Sequence, residues 1–321
     1  MKIINIGYPL TDYQQQVKQT LQGRNCALAI GNFDGVHVAH QEILRLAKQT
    51  ASQQNAVCAA LTFEPHPKLL FNQEPHYLLT NLSNKLTLLE RCGIDLAVVI
   101  HFSHEFSCIS AEDFIQQVLV DMLSAKSVVT GYDFCFGSKR SGNASMLAES
   151  APRLGFSYNQ VRQISYEGME VSSSHIKKLL NSGLIALAND LLGRQYSIQG
   201  QPASEQPRAI SITLANALHY PASGMYLCRT RHQSHWHYML GTLSVVDNQL
   251  TLLGLDSTGH EWVALVSEVG DANIEILEIE VLQLLRPARQ MADQAMAQLQ
   301  HAIDLRDANY VHIMCYKQNK K

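Results

Sequence analysis

The sequence predicts a two-part α/β protein, a parallel sheet covered by helices and then a small antiparallel β-barrel closed off by a helix. Three observations lead there. The 321 residues exceed what one typical core holds and suggest two domains. Up to Leu192, short apolar runs alternate with longer amphipathic ones, the pattern of a parallel sheet with both faces buried. After Leu192 the pattern becomes a succession of β-like runs separated by turn residues.

Taken in order, Cys26 to Gly31 (CALAIG) reads as a buried strand and Ala39 to Gln53 as a helix. Ala56 to Phe63 (AVCAALTF) is a second strand, rich in small and β-branched residues, and Leu79 to Arg91 is helical. Asp95 to Phe102 is a third strand, Ala111 to Leu123 a helix, and Ser127 to Gly131 a fourth strand. Phe156 to Val161 reads as a fifth strand, with helices at Ser173 to Asn181 and Leu184 to Leu192. The domain boundary falls near Gly193 to Gly200, giving domains 1–192 and 193–321, and Gly200 to Arg208 (GQPASEQPR) reads as a loop. Met225 to Arg231, Trp236 to Val245, Gln249 to Leu255, Glu261 to Ser267 and Ile274 to Leu285 are β-like. Pro287 then opens a helix to about Asp304, with proline at its favoured first-turn position.

Composition narrows the function. Hydrophobic residues make up 46% and charged residues 17%, an ordinary globular balance. The net charge of −3 carries no broad field for nucleic acid or an anionic membrane, so a phosphate ligand would need local donors. The seven cysteines show no C-x-x-C spacing and are odd in number, which argues against a disulfide framework or a thiolate zinc site. Met1 to Gln14 lacks a basic-then-apolar signal pattern, and no uncharged apolar run reaches transmembrane length. The expectation is a cytoplasmic protein.

Four segments, each following a predicted strand, carry chemistry. The first is Gly31 to Glu42 (GNFDGVHVAHQE), where the first strand hands over to the first helix. Ligands of open parallel sheets bind at the carboxyl ends of strands, and a helix N-terminus there favours phosphate. Gly31 and Gly35 let the backbone bend closely around a ligand. His37 and His40 are three residues apart, so both rings can face one ligand and, with Asn32, donate to phosphate oxygens. The alternatives are a pair that merely caps or lines the helix, and a metal site that lacks an obvious third ligand.

The second segment is Thr62 to Lys68 (TFEPHPK), where Pro65 and Pro67 stiffen a turn and Phe63 and His66 could wall a flat ring. Its bland reading is a rigid loop. The third is Thr130 to Asn143 (TGYDFCFGSKRSGN), where Phe134 and Phe136 beside Lys139 and Arg140 suit a planar phosphorylated ligand, or else form a hairpin with core aromatics. The fourth is Val171 to Lys178 (VSSSHIKK), where Ser172, Ser173 and Ser174 are good N-caps and Lys177 lies one turn in. Plain capping with a solvated lysine is the alternative there. That all four end up on one rim favours a shared ligand.

Together these segments resemble the adenylyltransferase module of the prokaryotic bifunctional FAD synthetases, the riboflavin kinase/FMN adenylyltransferases. That family shows G-x-F-D-G-x-H-x-G-H, T-F-x-P-H-P, G-x-D-F-x-F-G-x-x-R-x-G, I-S-S-T-x-I-R and L-G-R-x-Y. The matching stretches are Gly31 to His40, Thr62 to Pro67, Gly131 to Gly142, Val171 to Lys177 and Leu192 to Tyr196. The resemblance implies a Rossmann-like nucleotidyltransferase domain followed by a riboflavin-kinase-like barrel, with ATP and FMN as substrates, Mg²⁺ as cofactor and FAD as product. By position, Asn32, His37 and His40 would hold the ATP phosphates. Gly31, Phe33, Asp34 and Gly35 would shape the nucleotide loop, and Ser173, Ser174 and Lys177 would bind the triphosphate from the other side. Phe63, Pro65, His66, Asp133, Phe134, Phe136 and Arg140 would form the flavin side. Departures are Ala39 for the glycine of H-x-G-H, Ser174 for threonine, and Lys177 for arginine, which keeps the charge but loses the bidentate fork.

The second domain departs further. The family's G-F-P-T-A-N stretch aligns with Ser211 to Asn216 (SITLAN), where Ala215 and Asn216 survive but Leu214 occupies the threonine position. The N-I-G motif is replaced by Leu240 to Ser244 (LGTLS), and the catalytic glutamate would be Glu261 or Glu268. Gly224 to Arg229 and Ile279 to Pro287 still look family-like. The expectation is an FMN adenylyltransferase whose kinase half is impaired or lost. The alternatives are a fully bifunctional enzyme that also takes riboflavin, a non-catalytic flavin- or nucleotide-binding paralogue, and transfer to a different phosphorylated acceptor.

Overall fold

The computed structural model describes residues 1–72, 76–206, 209–232, 235–246, 249–254 and 277–287. The chain divides into two compact units. One contains Met1–Ile176 with Leu191–Gly193 and Ala217–His219, and the other contains Lys177–Asp190, Arg194–Asn216 and the described residues from Tyr220 onward.

The first unit is built on six strands, β1 (Lys2–Ile6), β2 (Cys26–Ile30), β3 (Val57–Glu64), β4 (Leu96–His101), β5 (Ala125–Gly131) and β6 (Ser157–Val161). They form a single sheet in the order β1-β4-β3-β2-β5-β6, and every neighbouring pair is parallel. The helices of this unit begin with α1 (Gln14–Leu21), α2 (Val38–Gln54), α3 (Pro67–Phe71) and α4 (Leu82–Arg91). They continue with α5 (His104–Ser107), α6 (Ala111–Asp113) and α7 (Ala144–Leu154). A short antiparallel pair, β7 (Ser165–Tyr166) and β8 (Met169–Glu170), precedes α8 (Ser173–Asn181) and α9 (Ile185–Leu192).

Side-chain size explains how the sheet is covered. Along β2, Cys26, Leu28 and Ile30 point to one face and the smaller Ala27 and Ala29 to the other. The large-residue face packs against Val17 and Leu21 of α1 and Phe114, Val118 and Met122 beyond α6. On the other face Ala27, Ala29, Ala60 and Val129 admit α2 and α4 closely, through Leu44, Ala47, Ala51 and Leu89. From β2 the chain moves to β3 and β4 on one side, whereas β5 and β6 lie on the other. The carboxyl end of β2 is therefore the switch point at which open parallel sheets bind ligands.

In the second unit β9 (Tyr196–Gln206), β10 (Ala209–Leu214), β11 (Gly224–His232), β12 (His235–Ser244), β13 (Gln249–Gly254) and β14 (Leu277–Pro287) close into an antiparallel barrel. Alternate residues fill it, among them Ile198, Ile212, Leu214, Tyr226, Cys228, Leu250, Leu252, Ile279 and Val281.

Several expectations are corrected. Gly200 to Arg208 is not a loop through its described part, because β9 runs to Gln206, paired with both β10 and β14. The chain absorbs Pro202 at a bulge, where Ser211 pairs with Ser204 and Ile212 with Pro202. The helix expected from Leu79 starts at Leu82, because Asn81 caps it by accepting from the N–H of Asn84 at 2.8 Å. The helix expected over Ala111 to Leu123 becomes π-helical from Phe114 to Met122. Strand β1, helices α1, α3, α5 and α7 and the β7–β8 pair are not among the elements the sequence predicts. The helix expected after Pro287, the strand at Glu261 to Ser267, and both Glu261 and Glu268 lie outside the described residues.

Candidate active site

The loop from Gly31 to His37 leaves β2 at the switch point and enters α2, a helix of 17 residues. Its backbone is held in an unusual shape. Phe33 (φ 50), Gly35 (φ 82) and Val36 (φ 38) all adopt left-handed conformations. For a β-branched valine this is costly, and such strain persists only where the surroundings over-determine it. Gly35 is needed for a second reason, since a Cβ there would meet Leu79 Cδ1 at 2.7 Å.

The surroundings are specific. The Asp34 carboxylate is 2% exposed, and its Oδ1 accepts from the N–H groups of Leu79 at 2.8 Å and Thr80 at 3.2 Å. The Gly35 N–H donates to Thr80 Oγ1 at 3.0 Å. The Asp34 carbonyl accepts from Ser173 Oγ at 2.8 Å, and the Asn32 carbonyl accepts from Thr62 Oγ1 at 3.1 Å. Asp34 thus shapes the loop from beneath, and the second and fourth segments bond to the loop's backbone at Asn32 and Asp34.

His37 is the N-cap of α2. Its Nδ1 accepts from the His40 N–H at 3.4 Å, which leaves Nε2 as the donor side of the neutral ring. The His37 and His40 rings stack with centroids 3.6 Å apart and planes 16° apart. Phe33, fully buried, braces His40 edge-on at 5.4 Å. Two imidazoles are thus fixed side by side at a helix N-terminus, where the dipole favours anions.

The other expected residues divide. Ser173 joins the loop, whereas Ser174 is exposed and Ser172 takes up the cap by accepting from the His175 N–H at 3.3 Å. Lys177 is buried and groups with the second unit. Phe63 packs on Phe102 at 5.8 Å within the hydrophobic core. His66 caps α3 by accepting from the Lys68 N–H at 3.2 Å and packs on Tyr77; Pro65 is half-buried beside it. Phe136 is core, 5.2 Å from Phe114, and Phe134 stacks on it at 5.6 Å. A Cβ at Gly142 would strike the Phe136 ring at 2.5 Å, so that glycine serves the loop's closure. Asp133 and Arg140 are exposed. An open cavity of about 430 Å³ lies beside this loop, lined by Tyr132, Asp133, Phe134, Asn143, Tyr158 and Gln160 among others.

One group was missed from sequence. Lys85 on α4 is 2% exposed, with Nζ 3.5 Å from Thr62 Oγ1 and 4.0 Å from Glu64 Oε2. Burial pushes its ammonium below the usual lysine range, while Glu64 and then Asp34 pull it back up. The available signal was its spacing, four residues before the fully buried Leu89 and so on the inward face of the helix.

In the second unit, Leu214 is 4% exposed inside the barrel, and Ala215 and Asn216 are exposed. The Tyr220 hydroxyl accepts from the Ala215 N–H at 2.8 Å and donates to the Ala215 carbonyl at 3.1 Å, locking the turn after β10.

The fold and site define a class: a Rossmann-like α/β unit with a histidine-bearing strand–loop–helix at its switch point, joined to a β-barrel. Residues 19–175 match the family model described as FAD synthetase. The bifunctional riboflavin kinase/FMN adenylyltransferase of Haemophilus influenzae is 37% identical over 223 residues, 67% of this chain and 72% of that protein. The protein of the same description from Buchnera aphidicola is 38% identical over 55% of this chain and 57% of its own length. That from Escherichia coli K12 is 33% identical over 60% of this chain and 62% of its own length. The matches to these last two thus span less than two thirds of each relative. A crystal structure titled as a macrolide-efflux protein from Streptococcus pneumoniae shares the fold, with TM-score 0.72 at 21% identity over 93% of this chain and 98% of that one. The chain belongs to the FAD synthetase family of bifunctional riboflavin kinase/FMN adenylyltransferases.

Proposed function

We propose that this protein makes FAD by transferring the adenylyl group of ATP to FMN, and that its barrel no longer phosphorylates riboflavin. The observation that carries the first half is the stacked His37–His40 pair at the N-terminus of α2, tied to Ser173 through Asp34. A phosphate oxygen of FMN attacks the α-phosphorus of ATP. A new P–O bond forms as the bond from the α-phosphorus to the β-bridging oxygen breaks, and pyrophosphate leaves. His37, His40 and Asn32 donate to the phosphate oxygens on which charge develops, and Ser174 adds a hydroxyl at the start of α8. Gly31, Phe33, Asp34 and Gly35 hold the loop in place. Phe134, with Asp133 and the adjoining cavity, offers the flat face for a ring, and Arg140 a cation for the FMN phosphate. Phe63, Pro65, His66 and Phe136 stiffen that side from the core. Mg²⁺ bound to the ATP phosphates as part of the substrate would offset charge on the leaving pyrophosphate.

The domains are 1–192 for transfer and 193–321 for the kinase-like remnant. Loss of the kinase step is supported by Leu214, buried where the family carries a threonine hydroxyl, and by the Tyr220 lock on the adjoining turn. The reading places the protein in the cytoplasm; among the described residues no helix is long and apolar enough to cross a membrane.

The test is incubation of pure protein with ATP, Mg²⁺ and either FMN or riboflavin, followed by chromatography of the flavins. FAD from FMN and no FMN from riboflavin is expected. FMN accumulating from riboflavin overturns the second half and points to a bifunctional enzyme. No FAD from FMN, or the same trace turnover with His37→Ala, overturns the first half in favour of a non-catalytic binding protein.

A further inference from the structure

We propose that Lys85 is a positioning residue for the Gly31–His40 loop, acting through Thr62, and that ATP binding depends on its charge. The inference rests on reading that loop as the ATP phosphate site. A lysine on the inward face of α4 is costly. Leu89, one turn on, is fully buried, and an aliphatic residue would serve packing better than an ammonium there. A buried charge retained for stability alone would be expected to sit in a close ion pair, with N–H···O distances near 2.7–2.9 Å. Lys85 has no such pair among the described residues, since its contacts are the neutral Thr62 hydroxyl at 3.5 Å and Glu64 at 4.0 Å.

What the ammonium touches explains its presence. Thr62 Oγ1 has one proton, and that proton goes to the Asn32 carbonyl at 3.1 Å. Lys85 donates to a lone pair of the same oxygen, which fixes the hydroxyl's direction and polarises it towards Asn32. Asn32 immediately precedes Phe33, the first left-handed residue of the loop. On the other side of that strained stretch, Asp34 is clamped by the Leu79 and Thr80 N–H groups. The Asp34 clamp comes from the lead-in to α4 and the Asn32 clamp from Thr62 of β3, which Lys85 of α4 contacts in turn, and Lys85 supplies the charge that offsets Asp34 and Glu64 behind the loop.

Three variants test this, Lys85→Met, Lys85→Arg and Thr62→Val. Lys85→Met keeps the length and helix preference of the side chain and removes the charge. ATP affinity by calorimetry should fall about tenfold, the scale of one charge-assisted hydrogen bond. The kcat/KM for ATP in FAD formation should fall about 100-fold, as for a loop displaced by roughly an ångström. KM for FMN should stay within about twofold, and the melting temperature should hold or rise, because an apolar group replaces a buried charge. Lys85→Arg should restore part of the ATP affinity. Thr62→Val should reproduce the loss, and the double variant Lys85→Met/Thr62→Val should be no worse than either alone.

Wild-type ATP affinity in Lys85→Met, or losses that multiply in the double variant, overturns the proposal. If Lys85→Met does not fold, Thr62→Val decides by the same affinity measurement. Wild-type protein that binds ATP but forms no FAD overturns the enzymatic reading and leaves the binding prediction for Lys85 to be judged by calorimetry. Wild-type protein that does not bind ATP overturns both.

Discussion

Two strand-end turns lie at corresponding motifs of the family and have opposite character. At the end of β2, the turn from Gly31 to His37 holds three left-handed residues in four and presents two stacked imidazoles at a helix N-terminus. At the end of β10, the turn after Leu214 follows a buried aliphatic side chain and is locked by a tyrosine hydroxyl. The first turn holds strained backbone and two stacked imidazoles at a helix start, whereas the second is closed by a hydroxyl that bonds twice to one residue. On the proposed reading, activity follows from whether the polar groups at a turn point at each other or at a place where a substrate can sit.

The largest expected effect is on the first turn. His37→Ala should lower kcat/KM for FAD formation by about 100- to 1000-fold, the loss of a transition-state donor, with only about 1 kcal/mol of stability lost with the cap. An equal and large loss in the denaturation midpoint would mean that the histidine is structural, and the contrast between the turns would collapse. Next, Leu214→Thr restores the family's residue type in the barrel. It should cost about 2–4 kcal/mol by removing buried apolar atoms and burying a hydroxyl, and yield no FMN from riboflavin. Recovery of kinase turnover in that variant would show the second turn to be one substitution from function.

Tyr220→Phe should cost about 1 kcal/mol in denaturant unfolding, since its hydroxyl makes two hydrogen bonds to Ala215. Ala39→Gly, inside the first turn of α2, should cost up to about 1 kcal/mol while improving ATP affinity a few-fold if the alanine methyl crowds the phosphates. An unchanged affinity would mean that it does not.

The smallest effect concerns the two cores rather than the two turns. Burial pushes the thiols of Cys26 and Cys58 in the sheet, and of Cys228 in the barrel, up to about 12 from 9.0. A thiol that ionises at a higher pH folded than unfolded contributes stability that is intact below pH 9 and is lost as pH rises towards 12. At pH 8 a thiol reagent should label exposed Cys108 quickly and these three slowly. Fast labelling of Cys228 alone would reveal a looser barrel, and the difference between the turns would then extend to the interiors.

Much of this was legible in the sequence. The β2 strand, the α2 helix and the His37–His40 pair follow from an apolar run, a glycine-bearing turn and an amphipathic stretch, all local signals. What was misread depends on partners distant in sequence. Leu79 and Thr80 carry a helical pattern, yet their N–H groups go to Asp34, which delays α4 until Asn81 can cap it. Gly200 to Gln206 has the composition of a loop, yet β10 pairs along its backbone and β14 reaches its first residue. Phe63 and Phe136 sit in motifs that suggest ligand contact, but the sheet's large-residue face buries them. Lys85 was overlooked because the charge of a residue is more conspicuous in a sequence than the face of the helix on which it falls.

Asp34 also has a consequence for how the protein assembles. Its hydrogen bonds reach 45 and 46 residues forward to Leu79 and Thr80, and 139 residues forward to Ser173. Contacts so far apart along the chain can form only after large loops have closed, and closing them is slow and entropically costly. The strand and helix on either side of the loop can form early from neighbouring residues, but the left-handed backbone between them has nothing to hold it until Thr80 and Ser173 arrive. On the proposed reading, competence to bind phosphate should therefore lag behind the appearance of secondary structure during refolding, and a nascent chain released before Ser173 has emerged would carry both histidines without the loop geometry around them.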